Sequence, residues 1–218
     1  MEYLLQFFDF FLNIDQHLDQ LVLDYGHWSY VVLFIVIFCE TGLVVTPILP
    51  GDSLLFAAGA IATRGSINVH FLAFVIFVAA VLGDATNYFI GSRLGLKVFD
   101  NPNSRIFKKE YLDKTQRFYD RYGGKTIIIA RFVPIVRTFA PFLAGVGTMT
   151  YASFAFYNII GAALWVAIVL YAGFFFGEME IVKNNFSLII IGIVFISVLP
   201  AIIEVTKTYW RKSEKEIL

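Results

Sequence analysis

The sequence has one cysteine, three histidines and, through its first 63 residues, neither lysine nor arginine. A single thiol, Cys39, excludes an internal disulfide and a thiolate metal cluster, and is read as a small packing residue. No HExxH pair is present, and the GDS at residues 51–53 is not the GxSxG of a nucleophile elbow. No metal site or cofactor is therefore expected. The missing basic stretch, together with Asp9 inside the first apolar run, denies the N-terminus the form of a cleaved signal peptide, so it is expected to be retained. Charged residues make up only 16% of the chain and their formal charges sum to zero, so no nucleic-acid partner is expected.

What fills the space is apolar: 58% hydrophobic residues, 24 of them phenylalanine, with a mean hydropathy of +0.72. A soluble domain of this length cannot hide that much apolar surface. Apolar runs around residues 30–38, 71–82, 154–176 and 188–203 recur as a bilayer core of ~30 Å requires. The expectation is an all-α polytopic membrane protein, one membrane domain over residues 1–218, with the bilayer itself as its first partner and room for a homo-oligomer.

Along the chain, Glu2, Gln6, Asp9, Asn13, Gln16, Gln20 and Asp24 fall at steps of three or four. This predicts an N-terminal amphipathic helix, residues 1–28, lying on the interface rather than crossing it. Residues 29–96 form a first unit, in which an apolar segment ending near Glu40 meets TPILPGDS (46–53). Pro47, Pro50 and Gly51 break the helix there. Residues 97–124 form a charged linker, with NPNS at 101–104 as a turn and aromatic residues at helical spacing up to Gly123 and Gly124. Residues 125–178 form a second unit, broken by Pro134 and Pro141 inside RFVPIVRTFAPFLAG (131–145). A spanning helix at 186–207 and a tail at 208–218 follow.

The two broken segments share a plan: an ionisable residue, a proline, a second proline, another ionisable residue close by, then small residues. The spanning segments after them end on Gly91 and Gly95 in one case and on Gly173 and Gly177 in the other, each pair small enough for close helix approach. Both breaks are predicted to be re-entrant hairpins, oppositely oriented within an inverted repeat. Entering the first from outside and the second from inside places thirteen Lys and Arg in cytoplasmic segments and only Arg64 and Lys183 outside. The C-terminus is then cytoplasmic.

That arrangement leaves Arg131 and Arg137 at membrane depth, where each unpaired charge costs on the order of 2.5–3.5 kcal/mol on insertion scales. Facing hairpins are expected to bring Glu40 and Asp52 to both arginines. One reading is an ion-pair cluster that pins the hairpins together, although buried pairs seldom add net stability. The other is a transport site, with guanidinium forks for a phosphate and carboxylates as proton carriers. Asp84, Asn87 and Asn158 are secondary candidates: Asp84 is either a second proton site or a partner for a neighbouring helix. Asn158 and Trp165 are read chiefly as packing and interhelical hydrogen bonding.

The segments ETGLVVTPILPGDSLL (40–55), GDATNYFIG (83–91), GGKTIIIARFVPIVRTFAPFLAG (123–145) and YNIIGAALW (157–165) closely resemble the bacterial DedA proteins, across nearly the whole chain. They also resemble the wider group that includes the eukaryotic VTT-domain lipid scramblases. The resemblance implies a lipid transporter of the bacterial cytoplasmic (inner) membrane, dependent on the proton-motive force. Its implied cargo is a lipid with a phosphate head group, undecaprenyl phosphate or a phospholipid. It sets the family's acidic pair on Glu40 and Asp52, and its arginine pair on Arg131 and Arg137. An intramembrane lipid-phosphate enzyme and a structural or sensor protein of the envelope are the alternatives.

Overall fold

The computed structural model of the chain describes residues 26–43, 51–65, 67–95 and 109–177, with residues 179, 180, 182 and 192. The interfacial helix expected over 1–28 lies outside the described residues up to position 25, as do Pro47 and Pro50. The tail at 208–218 and, apart from residue 192, the span expected at 186–207 also lie outside them. Every described element is helical: α1 (Trp28–Gly42), α2 (Gly51–Ala62), α3 (Val69–Leu94), α4 (Lys109–Tyr122), α5 (Thr126–Ala130), α6 (Pro134–Leu143) and α7 (Tyr151–Phe176). A 3₁₀ turn, Gly123–Lys125, precedes α5, and a π turn, Ala144–Thr148, follows α6.

Helices α3 and α7 have 26 residues each, about 39 Å at 1.5 Å per residue, which is long enough to cross a hydrocarbon core of ~30 Å. Helix α3 starts where the Asn68 side chain accepts the N–H groups of His70 and Phe71, both at 3.0 Å, and stops at Gly95 with φ 64°. Phe71, Phe74 and Phe89 on α3, and Phe156, Ile168 and Phe175 on α7, are exposed from the protein. Large apolar side chains facing outward along a long apolar helix suit lipid, not water. With 15 and 12 residues, α1 and α2 are about 22 and 18 Å long and fall short of a crossing.

Pro134 does what its sequence position implies: it holds the first turn of α6, and Val133 before it is extended, so α5 and α6 are separate helices. Pro141 departs from expectation. It sits inside α6, and the helix continues to Leu143. The chain leaves regular geometry only in the following π turn, where Gly147 takes φ 121°. The break at that end belongs to a glycine with a left-handed backbone, not to the proline.

Helix α1 packs on α3 and α2 packs on α7, while α6 and its π turn pack on α3 and α5 packs on α7. Glycines set two of these crossings in the same way. A Cβ on Gly59 would come within 2.1 Å of the Leu170 carbonyl oxygen, and one on Gly173 within 2.0 Å of the Phe56 oxygen. A Cβ on Gly145 would come within 1.9 Å of the Tyr88 oxygen, and one on Gly91 within 2.0 Å of the Phe142 oxygen. Backbone thus meets backbone at both crossings, α2 with α7 and α6 with α3. Helix α4 covers α6 from the side. Its Tyr119 hydroxyl donates to the Ala140 carbonyl at 2.7 Å, and burial, with Asp84 behind it, raises that phenol above its ordinary pKa.

Candidate functional site

Glu40 lies near the C-terminal end of α1 and Asp52 in the first turn of α2, so the break between those helices delivers two carboxylates from one short stretch. The Gly51 N–H donates to Glu40 Oε1 at 3.2 Å. Gly51 also makes room for that carboxylate, since a Cβ there would fall 1.8 Å from Oε2. Opposite them, α6 presents Arg137. Its Nη1 lies 3.5 Å from Glu40 Oε1 and 3.3 Å from Asp52 Oδ1. One guanidinium nitrogen therefore serves both acids.

Arg131 goes elsewhere. From the end of α5 its Nη2 donates to Asp84 Oδ2 and to Asn158 Oδ1, both at 2.5 Å. The expected meeting of Arg131 with Glu40 and Asp52 is replaced by a second buried station drawn from α3, α5 and α7. Arg131 caps a five-residue helix packed on α7, and Gly161 on α7 leaves it space: a Cβ there would come within 3.2 Å of the Arg131 Cδ. Arg131 and Asp84 are each 3% exposed. A charge that deep needs its partner within reach, and Asp84 is the acid on the adjoining helix face.

Asn87 and Asn158 tie these parts together. The Asn87 amide nitrogen donates to the Thr41 carbonyl at 3.4 Å and the Thr138 carbonyl at 2.9 Å, joining the end of α1 to α6 through α3. Asn158 accepts from Arg131 and donates to the Val81 carbonyl at 3.1 Å. All three carbonyl contacts join one helix to another through a side-chain amide donor.

Trp165, read from the sequence as packing and interhelical hydrogen bonding, makes its hydrogen bond to a charged member of the site itself. Its Nε1 donates to Asp52 Oδ1 at 2.8 Å, and the Arg137 Cζ lies 4.7 Å from the ring centroid. The available signal was a tryptophan deep inside an uncharged spanning segment, where the indole N–H needs an acceptor.

Not every polar atom is matched. Arg137 Nη2, Arg131 Nε and Nη1, Asn87 Oδ1 and Glu40 Oε2 are buried and lack hydrogen-bond partners among the described residues. Unmet donors on two buried guanidinium groups are costly to maintain, and chemically they are open positions for an anion with several acceptor oxygens.

A family model described as the VTT domain matches residues 49–175, which include Asp52, Asp84, both arginines and Trp165. The chain is 58% identical over 201 residues to Protein DedA of Escherichia coli strain K12, covering 91% of this chain and 92% of that one. It is 45% identical over 179 residues to the uncharacterized membrane protein Rv0364 of Mycobacterium tuberculosis, covering 81% and 78%. It is 32% identical over 153 residues to the inner membrane protein YqjA of Escherichia coli strain K12, covering 70% and 69%. No solved structure matches it. A model match over more than half of the chain, and a close relative along almost all of it, mean that the chain belongs to the VTT-domain (DedA) family of membrane proteins.

Proposed function

We propose that this protein is a proton-coupled flippase of the bacterial cytoplasmic membrane that moves a phosphate-bearing lipid, undecaprenyl phosphate or a phospholipid, between leaflets. Glu40 and Asp52 carry the proton, and Arg131 and Arg137 hold the phosphate. The carrying observation is the set of buried guanidinium donors without acceptors among the described residues, Arg137 Nη2 with Arg131 Nε and Nη1. A cluster built only to pin two hairpins would gain most by saturating its donors. Among the described residues they stay open at both stations, on Arg137 beside Glu40 and Asp52 and on Arg131 beside Asp84.

The architecture suited to that task is a pair of oppositely oriented re-entrant hairpins, α1 with α2 and α5 with α6. The short lengths of these helices favour it, as does the matching use of glycine where each second arm meets the spanning helix of the other unit. The thirteen-to-two distribution of basic residues orients it with the C-terminus in the cytoplasm.

Reconstitution in liposomes tests the function directly. Labelled lipid phosphates should exchange leaflets faster with the protein than without it, and faster still under a pH gradient. No acceleration with any phosphate lipid would overturn the reading. Release of inorganic phosphate would replace it with a lipid-phosphate hydrolase.

A further inference from the structure

Asp52 Oδ1 accepts from two donors of different kinds, the charged Nη1 of Arg137 at 3.3 Å and the neutral Nε1 of Trp165 at 2.8 Å. The same indole carries the Arg137 guanidinium on its face at 4.7 Å. Trp165, Asp52 and Arg137 therefore close a triangle drawn from α7, α2 and α6, and Trp165 itself is 1% exposed. We propose that Trp165 is a positioning residue of this site: its N–H holds the Asp52 carboxyl in place whether or not that group is ionised, while its face sets where the Arg137 guanidinium points.

The two contacts answer differently to a proton. An ion pair exists only while Asp52 is charged, but the indole N–H, a donor and nothing else, is accepted by a neutral carbonyl oxygen as well as by a carboxylate. Protonation at Asp52 then loosens Arg137 and leaves the acid anchored on α7. The guanidinium is the part that becomes available, and the aromatic face keeps it beside the site once its carboxylate is lost. The charged groups around the triangle are Glu40 from α1 and Asp84 from α3, both within Coulombic range of Arg137, with Arg131 on Asp84. Helix α7 has no Asp, Glu, His, Lys or Arg, so the indole is its polar contribution to the triangle.

The proposal rests on the transport reading only for the identity of the ligand, and its test separates the two. Trp28→Phe with Trp210→Phe leaves Trp165 as the sole tryptophan of the full-length protein in nanodiscs. In that background Asp52→Leu and Arg137→Lys should each shift the Trp165 emission maximum, while Asp52→Asn, which keeps an acceptor oxygen, should leave the indole as shielded from acrylamide as before. Trp165→Phe should weaken binding of short-chain phosphatidic acid roughly tenfold, as loss of a hydrogen bond to a charged group predicts. Adding Arg137→Lys to it should cost less than Arg137→Lys alone. Identical emission in all these backgrounds, or unchanged binding by Trp165→Phe, overturns the proposal. If emission responds as described but no version binds phosphatidic acid, the positioning role stands and the lipid-phosphate reading fails.

Discussion

Arg131 and Asp84 meet side chain to side chain at 2.5 Å, each almost fully buried, and neither touches the Glu40 and Asp52 pair. Stripping one partner from such a pair leaves the other charge stranded, at about 3–5 kcal/mol. Asp84→Ala should therefore lower the thermal unfolding temperature of the detergent-solubilised protein markedly, whereas Asp84→Asn, which retains an acceptor oxygen for Arg131, should cost less. Equal melting of the two variants would show that the pair is not held by charge.

Arginine geometry should matter at both stations. If Arg131 and Arg137 grip phosphate through planar forks, lysine at either position offers a point charge instead. Arg131→Lys and Arg137→Lys should still insert, judged by membrane fractionation, but lose most of the leaflet exchange measured in liposomes. Full activity in both variants would leave a generic ion pair as a sufficient account.

The pH dependence has a definite sign. With Glu40 and Asp52 ionised, Arg137 is occupied by both carboxylates, so binding of a lipid phosphate, measured between about pH 5.5 and about pH 8.5, should weaken as pH rises. Glu40→Gln is permanently neutral there, so its binding should vary less with pH and its exchange should lose dependence on the gradient. A Glu40→Gln protein that binds nothing at any pH would make Glu40 a structural partner.

Orientation is open to chemical labelling. In a Cys39→Ser background, a cysteine at position 109 should resist an impermeant thiol reagent applied from the periplasm and react once the membrane is opened. Position 64 should show the opposite pattern. Labelling of position 109 from the periplasm would refute the arrangement derived from the basic residues.

The break at Pro134 and one charged station were legible in the sequence because both follow from local chemistry. Pro134 forces the preceding Val133 into extended backbone, and Glu40 and Asp52 are only twelve positions apart in the sequence, so the chain itself brings them together. The partner of Arg131 was not legible. Its choice of Asp84 over Glu40 depends on the depth of α5 against α7 and on the face that α3 turns inward, and a helix as apolar on all sides as α3 carries almost no periodic signal of that face. Trp165 was obscured for the same reason: among the apolar residues of α7, only the tertiary placement of Asp52 distinguishes an anchoring indole from a packed one.

Because α2 is keyed to α7 and α6 to α3 with backbone against backbone, the chain is braided: each half lends an arm to the other. A seam between moving bodies cannot follow the midpoint of the polypeptide without prising those crossings open. A division that respects both crossings separates α2 with α7 from α6 with α3. Asp52 belongs to the first of these and Arg137 to the second, so the ion pair between them at 3.3 Å bridges the seam.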